Sequence, residues 1–178
     1  MLSTEMMALT LFDRYAYPDW LRRHSLAVGR IAMALAAAHR RAGHDLDPDA
    51  VGLAGYLHDI GKSPLLDGDG RDHNQISALV VSAHGHADLA ELVRRHPVYA
   101  SMDPGLAPRT LAERIVHYAD RRGLFEVVTL EERMGEQQAR APQFVHLRDA
   151  QLRAVREIER SVFDGLPFGP DQLAEQVT

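Results

Sequence analysis

The sequence predicts an all-α protein, a bundle of roughly six to eight helices in one domain. Three observations carry this. Apolar residues recur at i, i+3, i+4 and i+7 in most windows of the chain. Asp and Pro tend to open these windows, and Gly or Pro to close them. No stretch alternates polar and apolar residues over a useful length, and no internal repeat is present.

The elements follow in order. Residues 1–16 are weakly amphipathic and resist placement. Tyr17-Pro18-Asp19 opens the first strong helix, with Pro near its start and an acid in its first turn. Leu21, His24, Val28, Ile31 and Leu35 form its apolar stripe, and Gly43 ends it. Asp47-Pro48-Asp49 starts a second helix, in which Val51, Ala54 and His58 share a face. His58 and Asp59 fall on its last turn, and Gly61 reads as the glycine that terminates it.

Ser63 to Asp72 is rich in Gly and Asp and reads as a solvated or lid-like loop. It is not an EF-hand, because the loop glycine and the closing Glu are out of position. Asp72-His73-Asn74 caps a third helix, with Ile76, Leu79, Val80 and Ala83 on one side and Gly85 as its stop. A fourth runs from about Ala87, with Leu89, Leu92, Val93 and His96 in register, until Pro97. A fifth carries Leu111, Ile115, Val116, Tyr118 and Ala119. Glu126–Arg140 reads as a polar helix and Gln143–Phe163 as a longer amphipathic one, with Phe144, Leu147, Leu152, Val155, Ile158 and Val162 apolar. Asp171 caps a short final turn.

Composition narrows the function. The 178 residues suffice for one core, and the net charge of −5 comes without any basic stripe. Duplex nucleic acid needs clustered phosphate neutralisation, so it is excluded as a partner. There is no cysteine, so disulfides and thiolate metal sites are excluded and any metal must be held by His and carboxylate. No apolar run reaches the roughly 20 residues of a membrane span. The N-terminus lacks the features of a signal peptide, which makes the cytoplasm the expected compartment.

The chemistry concentrates at Gly55-Tyr56-Leu57-His58-Asp59-Ile60-Gly61-Lys62. It sets an imidazole beside a carboxylate, a donor pair suited to a divalent ion, with a cation just behind. Alone, such a pair reads as a core histidine next to a solvated acid. Other His and Asp residues on inward helix faces change that reading. His24 sits in the middle of an apolar stripe, and His96 is the last inward position of its helix. Asp120 shares a face with Val116. An acid facing a core costs several kcal/mol unless it is paired or binds a metal. Helical bundles build metal sites from such convergent side chains.

The ordered set His24, then His58-Asp59-Ile60-Gly61-Lys62, then Asp120 within Tyr118-Ala119-Asp120-Arg121 resembles the HD-domain metal-dependent phosphohydrolases. The resemblance covers roughly residues 20–125. It implies a single HD-type domain over residues 1–178, with its core at about 18–125 and the C-terminal helices of 126–178 packed on it. It also implies that His24, His58, Asp59 and Asp120 bind one divalent metal. Members with a second metal add two histidines, whose places His73 and His96 would take, with Asp59 bridging. One or two ions are thus implied, from among Fe, Mn, Co, Zn, Ni and Mg. The chain is also similar to small bacterial HD hydrolases that cleave dinucleoside tetraphosphates, which share the Ala119-Asp120 pair, whereas the Gly-Tyr-Pro signature of cyclic-di-GMP phosphodiesterases is absent.

The expected activity is hydrolysis of a nucleotide or related small-molecule phosphoester by metal-activated water. Asp59 would bind metal and orient the water, and Lys62 would offer a point charge to the phosphate. Arg121 or Arg122 could add a bidentate grip, against the plainer reading of both as surface cations. His117 is read as supporting a ligand or lying at the surface, His84 and His86 as a solvated turn, and His39, His44 and His146 as exposed. The alternatives are a non-catalytic nucleotide-binding or regulatory HD protein and, less favoured, a di-iron HD oxygenase. The oligomeric state stays open, a homodimer included.

Overall fold

The computed structural model describes residues 3–177. Seven α-helices of ten residues or more form the bundle: α1 (Thr4–Arg14), α2 (Asp19–Arg41), α3 (Pro48–Leu57), α4 (His73–Ala83), α6 (Leu111–Arg122), α7 (Leu130–Arg140) and α8 (Arg148–Phe163). Two short helices complete the order, α5 (Ala90–Arg94) between α4 and α6, and α9 (Leu173–Gln176) after α8. Among the described residues there is no β-strand beyond an isolated antiparallel bridge between Gly123 and Val127. The all-α expectation holds.

The long α2 is the spine. Its buried stripe, Leu21, His24, Val28, Ile31 and Leu35, is the one the spacing predicts. α3 lies against it unusually closely. A Cβ on Gly55 would sit 2.9 Å from Ala32 Cβ and 3.0 Å from Gly29 Cα, so only glycine permits this contact. That close approach brings the end of α3, with His58 and Asp59, up to His24. One apolar core runs from Ala8 and Phe12 on α1 through α2, α3 and α6 to Val155 and Val162 on α8 and Leu173 on α9. α1, hard to place from sequence, packs Ala8 and Phe12 there and is capped by the Ser3 side chain.

Gly43 and Gly85 close α2 and α4 in the left-handed region, with φ of 96° and 86°. Gly61 does not act this way. Helix α3 stops at Leu57, His58 is its C-cap, and a 3-10 turn over Ile60–Lys62 follows. Gly61 is instead needed for contact, since a Cβ there would lie 2.1 Å from the His73 carbonyl oxygen.

The polar helix expected from Glu126 begins at Leu130. Thr129 is its N-cap in a capping box with Glu132, and the Gly123–Val127 bridge occupies the preceding residues. The last long helix begins at Arg148 rather than Gln143, because a 3-10 segment over Pro142–Leu147 precedes it and leaves Phe144 exposed. Leu79 also faces outward from α4. His39 departs from its exposed reading: it is buried, and its Nε2 donates to the Val162 carbonyl at 2.7 Å, tying α2 to α8.

Candidate metal centre

Six side chains from five places in the chain meet in the core. His24 comes from α2, and His58 and Asp59 from just past α3. His73 opens α4, His96 follows α5, and Asp120 lies in the last turn of α6. All are buried except His73, which is partly exposed. His24 Nε2 is 3.2 Å from His58 Nε2 and 3.2 Å from Asp120 Oδ1. His58 Nε2 is 3.7 Å from Asp120 Oδ1. On the other side His73 Nε2 is 3.2 Å from His96 Nε2.

Asp59 stands between the two groups. Its Oδ2 lies 3.6 Å from His24 Nε2 and 3.4 Å from His58 Nε2. Its Oδ1 lies 3.2 Å from His96 Nε2 and 3.4 Å from His73 Nε2. One oxygen faces each cluster.

These residues fit a metal on three counts. An ion about 2.0–2.1 Å from each of two donors separates those donors by roughly 2.8–3.4 Å, for octahedral to tetrahedral angles, close to the shorter spacings here. Second, the imidazoles point lone pairs inward. His58 Nδ1 is 2.7 Å from the Gly55 carbonyl and His96 Nδ1 2.6 Å from the Val93 carbonyl. A carbonyl only accepts, so each Nδ1 carries the hydrogen and each neutral ring presents a bare Nε2. His24 does the same more loosely, at 3.3 Å from the Leu124 carbonyl. Two bare nitrogens 3.2 Å apart repel unless a positive charge lies between them. Third, Asp59 Oδ1 is buried without a hydrogen-bond donor, which is costly for a charged oxygen.

The electrostatics agree. Burial opposes the charge on Asp59, but Lys62 and His58 outweigh it and hold its carboxyl well below the usual range. Burial likewise opposes Asp120, and Arg121, His24, His58 and Arg133 overcome it. Burial pushes His24 and His96 down, and His73 down to about 3, favouring the neutral rings that ligate. Burial would lower His58 too, yet Asp59 and Asp120 raise it on balance, so a positive charge is welcome at its Nε2.

The surroundings revise several expectations. Arg121 and Arg122 are buried, not surface cations. Arg121 pairs with Asp120 Oδ2, while Arg122 binds the Tyr118 hydroxyl and the Pro170 carbonyl. Neither lines the cavity over the cluster. Arg133 on α7 escaped the sequence reading. It donates to Asp120 Oδ1 at 3.2 Å and to the Asp120 carbonyl at 3.1 Å. A signal existed, since Leu130, Arg133 and Met134 fall on one buried face of a helix read as polar. His117 is fully buried, with its Nδ1 donating to the Arg95 carbonyl at 3.2 Å. His84 lies apart, bonded to the Tyr15 hydroxyl at 2.9 Å. Lys62 Nζ is 2.7 Å from Asp59 Oδ2 and lines the cavity, of about 440 Å³, whose floor includes His24 and Asp59.

A helical bundle with a convergent, carboxylate-bridged histidine cluster in its core defines a class of metal-binding helical proteins. The HD domain family model matches residues 21–122, and the chain belongs to that family, a superfamily of metal-dependent phosphohydrolases. A protein of Methanocaldococcus jannaschii described as uncharacterized is 32% identical over 108 residues, which is 54% of this chain and 62% of the relative. The aligned part is therefore under two thirds of that relative's length. No solved structure matches the chain significantly.

Proposed function

We propose that this protein hydrolyses a nucleotide or related small phosphoester in the cytoplasm, with two divalent ions held in one HD-type domain. The observation that carries the reading is the splitting of the Asp59 carboxylate, Oδ2 towards His24 and His58 and Oδ1 towards His73 and His96. His24, His58, Asp120 and Asp59 would hold one ion; His73, His96 and Asp59 the other. The imidazole-rich donor set favours a transition ion such as Fe, Co, Zn or Ni over Mg. Bound, such ions lower the pKa of water and polarise a phosphoryl oxygen.

The chain's own residues supply the rest. The carbonyls of Gly55 and Val93 fix the His58 and His96 rings, so both nitrogens stay aimed inward. Arg121 and Arg133 hold the Asp120 carboxylate from two sides. Lys62, on the cavity wall, offers a point charge to a substrate phosphate, while Arg140 on the same wall is paired with Glu136. Arg121, occupied with Asp120, steadies that acid instead of gripping substrate.

The test is a panel of nucleotides and other phosphoesters incubated with purified protein and Mn, Co, Fe or Mg. Release of phosphate or nucleoside is expected with the wild type and its loss in Asp59→Ala; no turnover with any pairing would end this reading. A di-iron oxygenase would need the same six ligands, and oxygen-dependent spectra of an iron-loaded sample would mark that second reading.

A further inference from the structure

The cavity over the cluster has aromatic walls that hydrolysis of a phosphate does not require. Trp20 and Phe125 both line it, and each is 45% exposed, so both rings present free surface to the cavity. Both are tied to the cluster through the backbone. Trp20 is one helical turn before His24 on α2, so the two share a face. Phe125 follows Leu124, whose carbonyl accepts from His24 Nδ1. Arg23 stacks on the Phe125 ring, its guanidinium carbon 4.2 Å from the ring centre. At the same rim stand two cations, Lys62 beside Asp59 and Arg140 paired with Glu136, and a phosphate would compete with those carboxylates for them. A planar apolar ring and an anion are therefore provided for side by side, within one cavity of about 440 Å³.

We propose that Trp20 and Phe125 are the specificity walls of this site and bind the planar aromatic ring of the substrate, a nucleobase, while its phosphate faces Lys62. The proposal rests on the phosphohydrolase reading for what happens to the phosphate, but the ring site itself does not. Sugar phosphates without a base lack the partner these walls present. Stacking on an aromatic side chain tolerates any base, since each has a π-face, so the site selects the class of substrate more than the individual base.

Trp20 is the sole tryptophan, which makes its fluorescence a direct probe of the wall. The purified protein is titrated with adenosine 5′-monophosphate, adenosine and ribose 5-phosphate, with calorimetry in parallel. Saturable quenching by the two adenine compounds is expected, with none by ribose 5-phosphate and at least about tenfold weaker binding of it. Phe125→Ala, at an exposed position, should weaken adenosine monophosphate about tenfold and leave ribose 5-phosphate unchanged, and Phe125→Tyr should restore the affinity. Equal affinity for the two phosphates, or no effect of Phe125→Ala, overturns the proposal. If adenine compounds quench Trp20 but no phosphoester is turned over, the ring site stands and the hydrolase reading falls. If ribose 5-phosphate is hydrolysed as fast as the nucleotide without quenching, the reverse holds.

Discussion

Gly61→Ala is the sharpest perturbation of the proposed second ion. The new Cβ would sit 2.1 Å from the His73 carbonyl oxygen, and 2.9 Å from both the His73 carbonyl carbon and Ser77 Oγ. An ordinary Cβ contact is 3.4 Å or more, so the start of α4 must retreat by roughly 1 Å. The obstacle is backbone and cannot swing away. His73 leads that helix, and its Nε2 is placed 3.2 Å from His96 Nε2 and 3.4 Å from Asp59 Oδ1. Metal bonds tolerate about 0.2 Å, so a 1 Å retreat breaks the second cluster. His24, His58 and Asp120 lie on other elements and keep their places. The overpacking itself costs about 1–3 kcal/mol, or roughly 3–10 °C of Tm at this chain length. The expected result is a lower Tm together with one fewer ion per chain by elemental analysis. A variant with wild-type Tm and ion count would refute the reasoning.

Other outcomes follow from single features. Gly135→Ala, mid-α7 with nothing within 4 Å of the new Cβ, should stabilise by about 0.5–1 kcal/mol in denaturant unfolding. Arg133→Met removes the two hydrogen bonds that Arg133 makes to Asp120, leaving Arg121's, and should weaken metal affinity about 10–100-fold in a chelator competition, with the helix content kept. His117 is pushed down to about 3 by burial, with Arg121 adding to it, while an unfolded histidine titrates near 6.5. The folded protein therefore binds fewer protons, and this contribution is full above about pH 6.5 and is lost as the pH falls towards 3. By pH 5 the loss amounts to about 2 kcal/mol, so metal-loaded His117→Asn should show a shallower acid loss of stability than the wild type between pH 6.5 and 4.5.

What the sequence makes legible is whatever local spacing determines. The stripe of α2, the opening of α3 at Asp47, and the stops at Gly43 and Gly85 are short-range physics, and each stands in the structure. The inward direction of His24, His96 and Asp120 follows from the same periodicity. Features decided by distant contacts were not readable. Gly61 looks like a helix stop because glycine after a helix usually is one, and only the arrival of His73 shows its true constraint. His39 sits near a helix end among polar neighbours, and its burial depends on α8, more than a hundred residues away. Arg121 and Arg122 read as solvated because arginine usually is. Their burial depends on Asp120, Tyr118 and the turn at Pro170, which the fold places beside them. Trp20 and Phe125 belong to one cavity only once α2 and the segment after α6 are side by side.

The central claim is that four imidazoles and two carboxylates surround two cations. Ion content per chain, measured on protein purified without added chelator and reloaded with Mn, Fe or Co, tests it most directly when wild type and Asp59→Ala are compared. The account predicts close to two ions in the wild type and loss of tight binding at both positions in the variant. Wild-type protein that is folded yet holds no ion above buffer level, after reloading with each metal, would contradict it.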